Sequence, residues 1–86
     1  MKSSHIELNA TTATAIVTAE PLTRRVYVHP MTSATIYVGP EGVTSLTGLK
    51  IDNANGIVTL EVPMNETLFA IAGTGTPIVS VLVQGD

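Results

Sequence analysis

The fold is decided by residues 66–84, which read ETLFAIAGTGTPIVSVLVQ. Two runs of β-branched and aliphatic residues flank a Gly-Thr-Gly-Thr-Pro segment, and this arrangement predicts a hairpin of two strands joined by a turn. Successive side chains of a strand point to opposite faces, so Phe69 and Ile71 share one face. As the only phenylalanine, Phe69 is the expected anchor of the core. The remaining faces carry Leu68, Ala70 and Ala72, then Val79, Val81 and Val83, and finally Ile78, Ser80 and Leu82.

Both of these strands are largely apolar on both faces. A hairpin with one face in water should alternate apolar and polar residues more cleanly. We therefore expect one face in the core and much of the other face covered by a second layer or by another subunit. Exposed apolar patches above a few hundred Å² are rare on monomers, so a homo-oligomer is predicted.

The composition of the chain fits a single small β domain. The sequence has 86 residues, of which 44% are hydrophobic and 13% are charged. The charged share is half the usual value of ~25%, which is typical of a domain whose surface is partly covered. There is no cysteine, which excludes disulfides and thiolate metal sites. Four Lys and Arg residues against a net charge of −3 exclude a basic nucleic-acid surface. Arg24 and Arg25 are expected to form a solvated strand start or to pair with a partner.

Further strands are predicted where apolar residues alternate with polar ones, at residues 24–29, 34–38 and 57–62. Short extended pieces are expected at 43–44 and 49–51. Asn55-Gly56 is a strong hairpin signal, and Pro or Gly residues punctuate the chain every 8–12 residues. We therefore expect an all-β fold without helices: a small antiparallel sandwich or barrel of about six to eight short strands, with an extended N-terminal segment.

The N-terminal region is treated as its own segment, comprising residues 1–19, and residues 20–86 form the β domain. Residues 1–4 are expected to be a mobile tail. The small, uncharged residues that follow could form an arm lying along a neighbouring molecule, or a strand of the protein's own sheet. No signal peptide or membrane-spanning stretch is found in the sequence, so synthesis in a cytoplasm and no contact with a membrane are expected.

The sequence offers no arrangement typical of catalysis or metal binding. His5 and His29 are the only histidines, and no His-x-His or His-x-x-x-His spacing occurs. Residues 52–56 lack the spaced acids of a calcium loop, and residues 73–76 lack the Gly-Lys-Ser/Thr of a phosphate loop. No catalytic, cofactor-binding or metal-binding residue is therefore assigned, and the protein is not expected to be an enzyme.

Aromatic side chains are scarce. Tyr27, Tyr37 and Phe69 are the only ones, whereas sugar-binding and single-strand-binding surfaces usually present aromatic platforms. The two tyrosines are predicted at the edge of the core or in an interface, with stacking on neighbouring strands as the alternative.

Several segments together resemble the small virion proteins of tailed bacteriophages, in particular the capsid decoration, or head-stabilising, class. The resemblance covers about residues 34–84 and rests on IYVG at 36–39, GVT at 42–44, Gly48, ETLFAIA at 66–72, GT at 75–76 and VSVL at 79–82. It departs at residues 48–51, where an aromatic residue and a proline would follow the glycine. No binding residue can therefore be transferred from the family.

The resemblance implies a β-rich, non-enzymatic protein on the capsid surface of a virion, made in the host cytoplasm. It implies binding to the major capsid protein as a homo-oligomer, with a trimer as the first expectation and a dimer as the second. The alternative is a carbohydrate-binding or receptor-binding module of a phage tail or fibre. A small toxin, an inhibitor or an accessory domain of an enzyme is a third hypothesis.

Overall fold

The computed structural model describes residues 2–31 and 33–84 and shows two packed antiparallel sheets. The prediction of an all-β sandwich is confirmed, with eight strands at the upper end of the expected number. Within the described residues the only helical element is a single 3₁₀ turn at Asn53–Asn55. The strands are β1 (Lys2–Glu7), β2 (Thr14–Val17), β3 (Arg24–Pro30), β4 (Thr35–Gly39), β5 (Leu49–Asp52), β6 (Val58–Val62), β7 (Leu68–Ala72) and β8 (Ile78–Gln84).

The two sheets are built by a chain that crosses between them at almost every turn. Sheet A has the strand order β1-β8-β3-β6, and sheet B has the order β2-β7-β4-β5. Among these strands, β4 and β5 are the only consecutive pair that lie side by side in one sheet. Every other pair of consecutive strands is divided between the two sheets, so their connections are arches over the edge of the core.

The predicted hairpin at residues 66–84 is therefore wrong. Strand β7 pairs with β2 and β4 in sheet B, whereas β8 pairs with β1 and β3 in sheet A. The Asn-Gly hairpin at residues 55–56 is wrong for the same reason, because β5 and β6 lie in different sheets. Both segments do reverse the chain, and Gly56 and Gly75 have the positive φ values that such turns require. In both cases, however, the strands before and after the turn enter different sheets, and their apolar faces stack across the core.

The core is filled by the inward faces of both sheets, with aliphatic side chains throughout. Val26 and Val28 of β3 and Ile36 of β4 are 0% exposed. The alternation predicted for β3, β6 and β8 is confirmed, because the valines of all three strands and Leu60 of β6 face inward. The core cluster consists of Leu8, Ile16, Val17, Val26, Val28, Ile36, Val38, Ile51, Val62, Ala70, Ala72, Val79, Val81 and Val83.

The N-terminal residues form strands in both sheets, and the described residues contain no separate extended segment ahead of these strands. Strand β1 pairs with β8 along its whole length, and β2 pairs with β7. Between them Leu8 is 1% exposed, and its amide donates to the carbonyl of Pro77 at 2.8 Å. Of the two alternatives for this region, the structure has strands of the protein's own sheets. The expected mobile tail is wrong for residues 2–4, which lie in β1, and Met1 is outside the described residues.

The prediction that Phe69 anchors the core is also wrong. Phe69 is only half-buried and lies on the outer face of sheet B, while Ala70 beside it is fully buried in the core. The inner face of β7 carries Leu68, Ala70 and Ala72, which are in register with the core residues of the two neighbouring strands. Its outer face therefore holds the larger side chains Phe69 and Ile71.

The loop at residues 40–48 covers part of this outer face. Val43 is 3% exposed and Ile71 is 6% exposed, although neither belongs to the core cluster. A Cβ atom on Gly48 would lie 2.7 Å from the Cβ of Tyr37 and 2.8 Å from Cγ2 of Val43, so the loop packs tightly on β4. The loop therefore covers part of the outer face of sheet B, whereas the outer face of β8 lies in sheet A. The short strand predicted at 43–44 is wrong, because these residues belong to this loop.

Arg24 is buried, contrary to the expectation of a solvated strand start. Its side chain is 2% exposed, and its guanidinium group donates to three backbone carbonyl oxygens. Nε binds the carbonyl of Leu22 at 3.2 Å, one terminal nitrogen binds the carbonyl of Thr18, and the other binds that of Glu66 at 3.0 Å. The next residue, Arg25, is exposed. Arg24 thus fastens the β2–β3 connection to the β6–β7 connection.

Candidate functional site

The outer face of sheet A carries a shallow depression of about 390 Å³. The face is formed by side chains that alternate with the core residues of β1, β8, β3 and β6. In an antiparallel sheet, residues directly opposite each other point to the same face. The register therefore builds this surface from rows of side chains that cross the strands. The depression is lined by Tyr27, His29, Ile57, Ser80, Leu82 and Gln84.

Ser80 forms the floor of the depression because it has the smallest side chain of the residues that line it. It lies on β8 between Ile78 and Leu82, which point to the same side. Across the sheet it is opposite His29 of β3 and opposite His5 of β1. The short serine side chain leaves a hole among larger neighbours, and the apolar part of the wall comes from the Tyr27 ring, Leu82 and Ile57.

Hydrogen bonds fix the polar part of the wall. The hydroxyl of Tyr27 donates to Oε1 of Gln84 at 3.1 Å. Nδ1 of His29 lies 3.0 Å from the carbonyl oxygen of Gly56, which can only accept, so this nitrogen carries the proton. Nε2 of His29 faces the side-chain amide of Asn53 at 3.5 Å. The walls are thus held in defined orientations before any ligand arrives.

This arrangement is suited to binding and lacks the groups of a nucleophilic site. Ser80 and His29 are neighbours in the register, but the two ring nitrogens of His29 face Gly56 and Asn53. A serine nucleophile needs a base within hydrogen-bond reach and a third group that orients the base. Within residues 2–31 and 33–84 no group of three His, Cys, Asp or Glu side chains is close enough together to hold a metal ion.

The charge on this face lies away from its centre. Arg25 is opposite Glu61 on one side and Gln84 on the other, at one end of the face. Glu7 is opposite Ile78 at the other end. The middle of the face is uncharged and combines Tyr27 and Leu82 with Ser80 and His29. The exposed apolar residues Ile57 and Ile78 lie at its margins and are 69% and 40% exposed.

The structure places the histidines and tyrosines considered in the sequence analysis as follows. His5 lies in β1 rather than in a tail, and it shares a row with His29 across Ser80. Tyr27 and Tyr37 lie in different sheets, so the stacking alternative is wrong. The sequence did not indicate Ser80 and Gln84 as lining residues, because their position at the depression depends on having β3 beside β8. Only the placement of Ser80 and Leu82 on one face was visible in the sequence.

The glycine-rich segment at residues 73–76 forms the arch between β7 and β8, and it is exposed. Asp52 ends β5 and accepts a hydrogen bond from the hydroxyl of Thr35.

Among the described residues, no helix is long and apolar enough to cross a membrane. Comparisons of the chain with protein-family models, with curated proteins and with solved structures find no match.

Proposed function

We propose that this protein is a non-enzymatic structural protein that binds to the surface of a larger protein assembly through the outer face of sheet A. The observation that carries the proposal is the depression over Ser80, which combines an uncharged centre with walls fixed by hydrogen bonds. Protein interfaces concentrate their binding energy where an aromatic or apolar side chain of one partner fills such a pocket in the other.

The assembly we propose is a tailed-bacteriophage capsid, so that the protein decorates and stabilises the outside of the head and its partner is the major capsid protein. Two points support this proposal. The residues that resemble the decoration class belong to β4, the loop at 40–48, β7, β8 and the arch between β7 and β8. The β-rich architecture that the resemblance implies agrees with the sandwich. The protein would act there as a homo-oligomer; the resemblance favours a trimer, with a dimer second.

Co-sedimentation with purified capsids tests the function and the surface separately. The variant Ser80→Trp fills the depression, and we expect it to weaken capsid binding by about tenfold or more, a loss typical of an interface anchor. The matched control is Ser45→Trp, which adds the same side chain at an exposed position of the loop on the opposite sheet. If the unchanged protein does not sediment with capsids, the proposed function is wrong. If both variants bind equally well, the surface is wrong.

A carbohydrate-binding or receptor-binding module of a phage tail or fibre is the second candidate. One observation favours it: the depression places the Tyr27 ring beside the polar groups of Gln84 and His29, a combination that suits a sugar ring. A glycan-array screen with the unchanged protein and Tyr27→Ala distinguishes the two candidates. Binding of a glycan that is lost in Tyr27→Ala, together with no capsid binding, would favour the second candidate.

A further inference from the structure

The four edge strands of the sandwich differ in how well they are protected against pairing with another chain. Strand β2 has only four residues, and its register is irregular between Ala15 and Val17. Strand β5 also has four residues and carries Lys50. Strand β1 places Lys2 on its core-facing side, opposite Val83, where its ammonium group pairs with Glu20 at 3.4 Å. Short strands, bulges and inward-placed lysines are the devices that keep sheet edges from joining.

Strand β6 has neither a bulge nor an inward-placed lysine, and its one charged residue, Glu61, lies on the outer face opposite Arg25. It reads VTLEV, contains no lysine, and pairs with β3 in a regular register from Val58 to Val62. Within the described part of the chain it pairs with β3 alone, so its other edge is free. Alternate residues of such an edge turn their N–H and C=O groups away from the sheet, where they can pair with a further strand.

The side chains of β6 are also left incompletely covered. Val58 and Leu60 face the core but remain partly exposed, whereas their neighbours Val28 and Val26 on β3 are 0% exposed. Ile57, immediately before the strand, is 69% exposed. A strand added beside β6 would cover these apolar atoms and complete the hydrogen bonding of the edge.

We propose that β6 pairs in antiparallel fashion with β6 of a second copy of this chain, about a two-fold axis at Leu60, which joins two four-stranded sheets into one of eight strands. This register places Val58 opposite Val62 of the second copy and Ile57 opposite Pro63, so that apolar residues meet. It places the Glu61 carboxylate opposite the Thr59 hydroxyl, which can donate to it. The contact is isologous and therefore closes as a dimer.

Charge selects this register over its neighbours. An axis at Glu61 would set two carboxylates directly opposite each other, and like charges in that position destabilise a strand pair. An axis at Thr59 would set Glu61 against Ile57. With the axis at Leu60, Glu61 has its own Arg25 on one side and a hydroxyl group on the other. The edge is thus self-complementary: each Glu61 carboxylate meets a hydroxyl donor and each Val58 meets Val62 of the second copy, which is the reason for assigning it that occupant.

The first test introduces a negative or a positive charge at one exposed position, Thr59. Thr59→Glu places a carboxylate opposite Glu61 of the second copy, twice per dimer, and Thr59→Lys places an ammonium group there. At the usual strength of cross-strand charge pairs, the dissociation constant should rise about 2- to 30-fold for Glu and fall by a similar factor for Lys. Ser3→Glu adds the same charge on the outer face of β1, at the other edge of sheet A, and should leave the constant unchanged.

Analytical ultracentrifugation of the full chain without capsids provides the measurement, with far-UV dichroism to confirm that each variant folds. We expect a mass twice the 9.0 kDa of the chain at tens of micromolar concentration. A monomer, a trimer, or charge variants whose constants do not move in opposite directions would overturn the proposal. Because capsids are absent, these outcomes are independent of whether the proposed function holds.

A cross-linking test reports the register directly, since the chain contains no cysteine. Leu60→Cys puts two thiols next to the two-fold axis, where oxidation should yield a covalent dimer. Ile57→Cys is the control, because the two copies of residue 57 would lie six residues apart along the strands, about 20 Å. Cross-linking of the control as fast as Leu60→Cys, or no cross-linking of Leu60→Cys, would overturn the register.

Discussion

Replacing the buried Arg24 by methionine should cost the protein a large part of its stability. The guanidinium group donates to the carbonyl oxygens of Thr18, Leu22 and Glu66, and each hydrogen bond to a charged group contributes about 1.5–3 kcal/mol. Thr18 and Glu66 are exposed, so water can replace the donor at two of the three carbonyls, and methionine also removes a buried charge. We therefore expect a net loss of about 2–4 kcal/mol for Arg24→Met.

This loss should be easy to measure, because a domain of 86 residues has a free energy of unfolding of only about 4–13 kcal/mol. In urea unfolding followed by far-UV dichroism, the midpoint should fall by about 1–3 M. Arg24→Lys keeps the charge but presents one compact ammonium group, and we expect it to restore less than half of the loss.

The neighbouring arginine supplies the matched control. Arg25 is exposed, and its side chain lies in register with Glu61 and Gln84 on the outer face of sheet A. Arg25→Met should therefore change the free energy of unfolding by no more than about 0.5 kcal/mol. A loss below about 1 kcal/mol for Arg24→Met, or equal losses for the two variants, would refute the idea that Arg24 fastens two loops together.

Three further changes test the packing. Ile36→Ala should destabilise the protein by about 2–5 kcal/mol because Ile36 is 0% exposed. Phe69→Ala should cost less because Phe69 is half-buried. If urea unfolding gave the larger loss for Phe69→Ala, the placement of Phe69 outside the core would be wrong. Gly48→Ala should cost about 1–3 kcal/mol because its methyl group would meet Val43 Cγ2 at 2.8 Å; an unchanged melting temperature would contradict the tight loop packing. Asn9→Ala removes the oxygen that accepts from two backbone amides at 3.1 and 2.7 Å, and should cost about 1 kcal/mol. Asn9→Asp keeps an accepting oxygen and should have the stability of the unchanged protein; a loss as large as that of Asn9→Ala would contradict this role.

The alternation of residues was sufficient to predict strand β3 with its inward face and the row of valines on β8, whereas the inward face of β7 was predicted wrongly. Val26 and Val28 on β3, like the valines of β8, are buried as their two-residue spacing indicates. The connections were not predictable in the same way. Gly56 and Gly75 mark where the chain turns, but a turn of either kind can join strands that lie side by side or strands that stack across a core. The apolar faces on both sides of such a turn make stacking the favourable choice.

Residue size and charge also misled the prediction of burial. Phe69 was expected inside because a large aromatic ring contributes most when it is buried, yet the neighbouring inward positions of β7 are occupied by Ala70 and Ala72, which are 0% and 2% exposed. Arg24 was expected outside because charged side chains are seldom buried without a partner. Its partners are main-chain carbonyls, two in the loop that precedes β3 and one in the distant β6–β7 connection, and main-chain groups carry no signal in the sequence.

The depression over Ser80 could not be predicted from the sequence either. The sequence places Ser80 and Leu82 on one face of their strand, but it does not indicate that β3 lies beside β8. That neighbour brings Tyr27 and His29 to the rim. The candidate site is therefore a product of the strand order, and single-strand patterns reveal only one of its walls.

The arched connections also govern how the protein must fold. Sheet A needs β1 against β8, which are separated by residues 8–77, and sheet B needs β2 against β7. Among the described strands only β4 and β5 can pair early as neighbours along the chain. Chains dominated by such distant pairings must close long loops before the contacts stabilise them, and they fold in milliseconds to seconds. On the ribosome, β1 stays unpaired until β8 emerges, and its polar, lysine-bearing sequence keeps that waiting edge soluble.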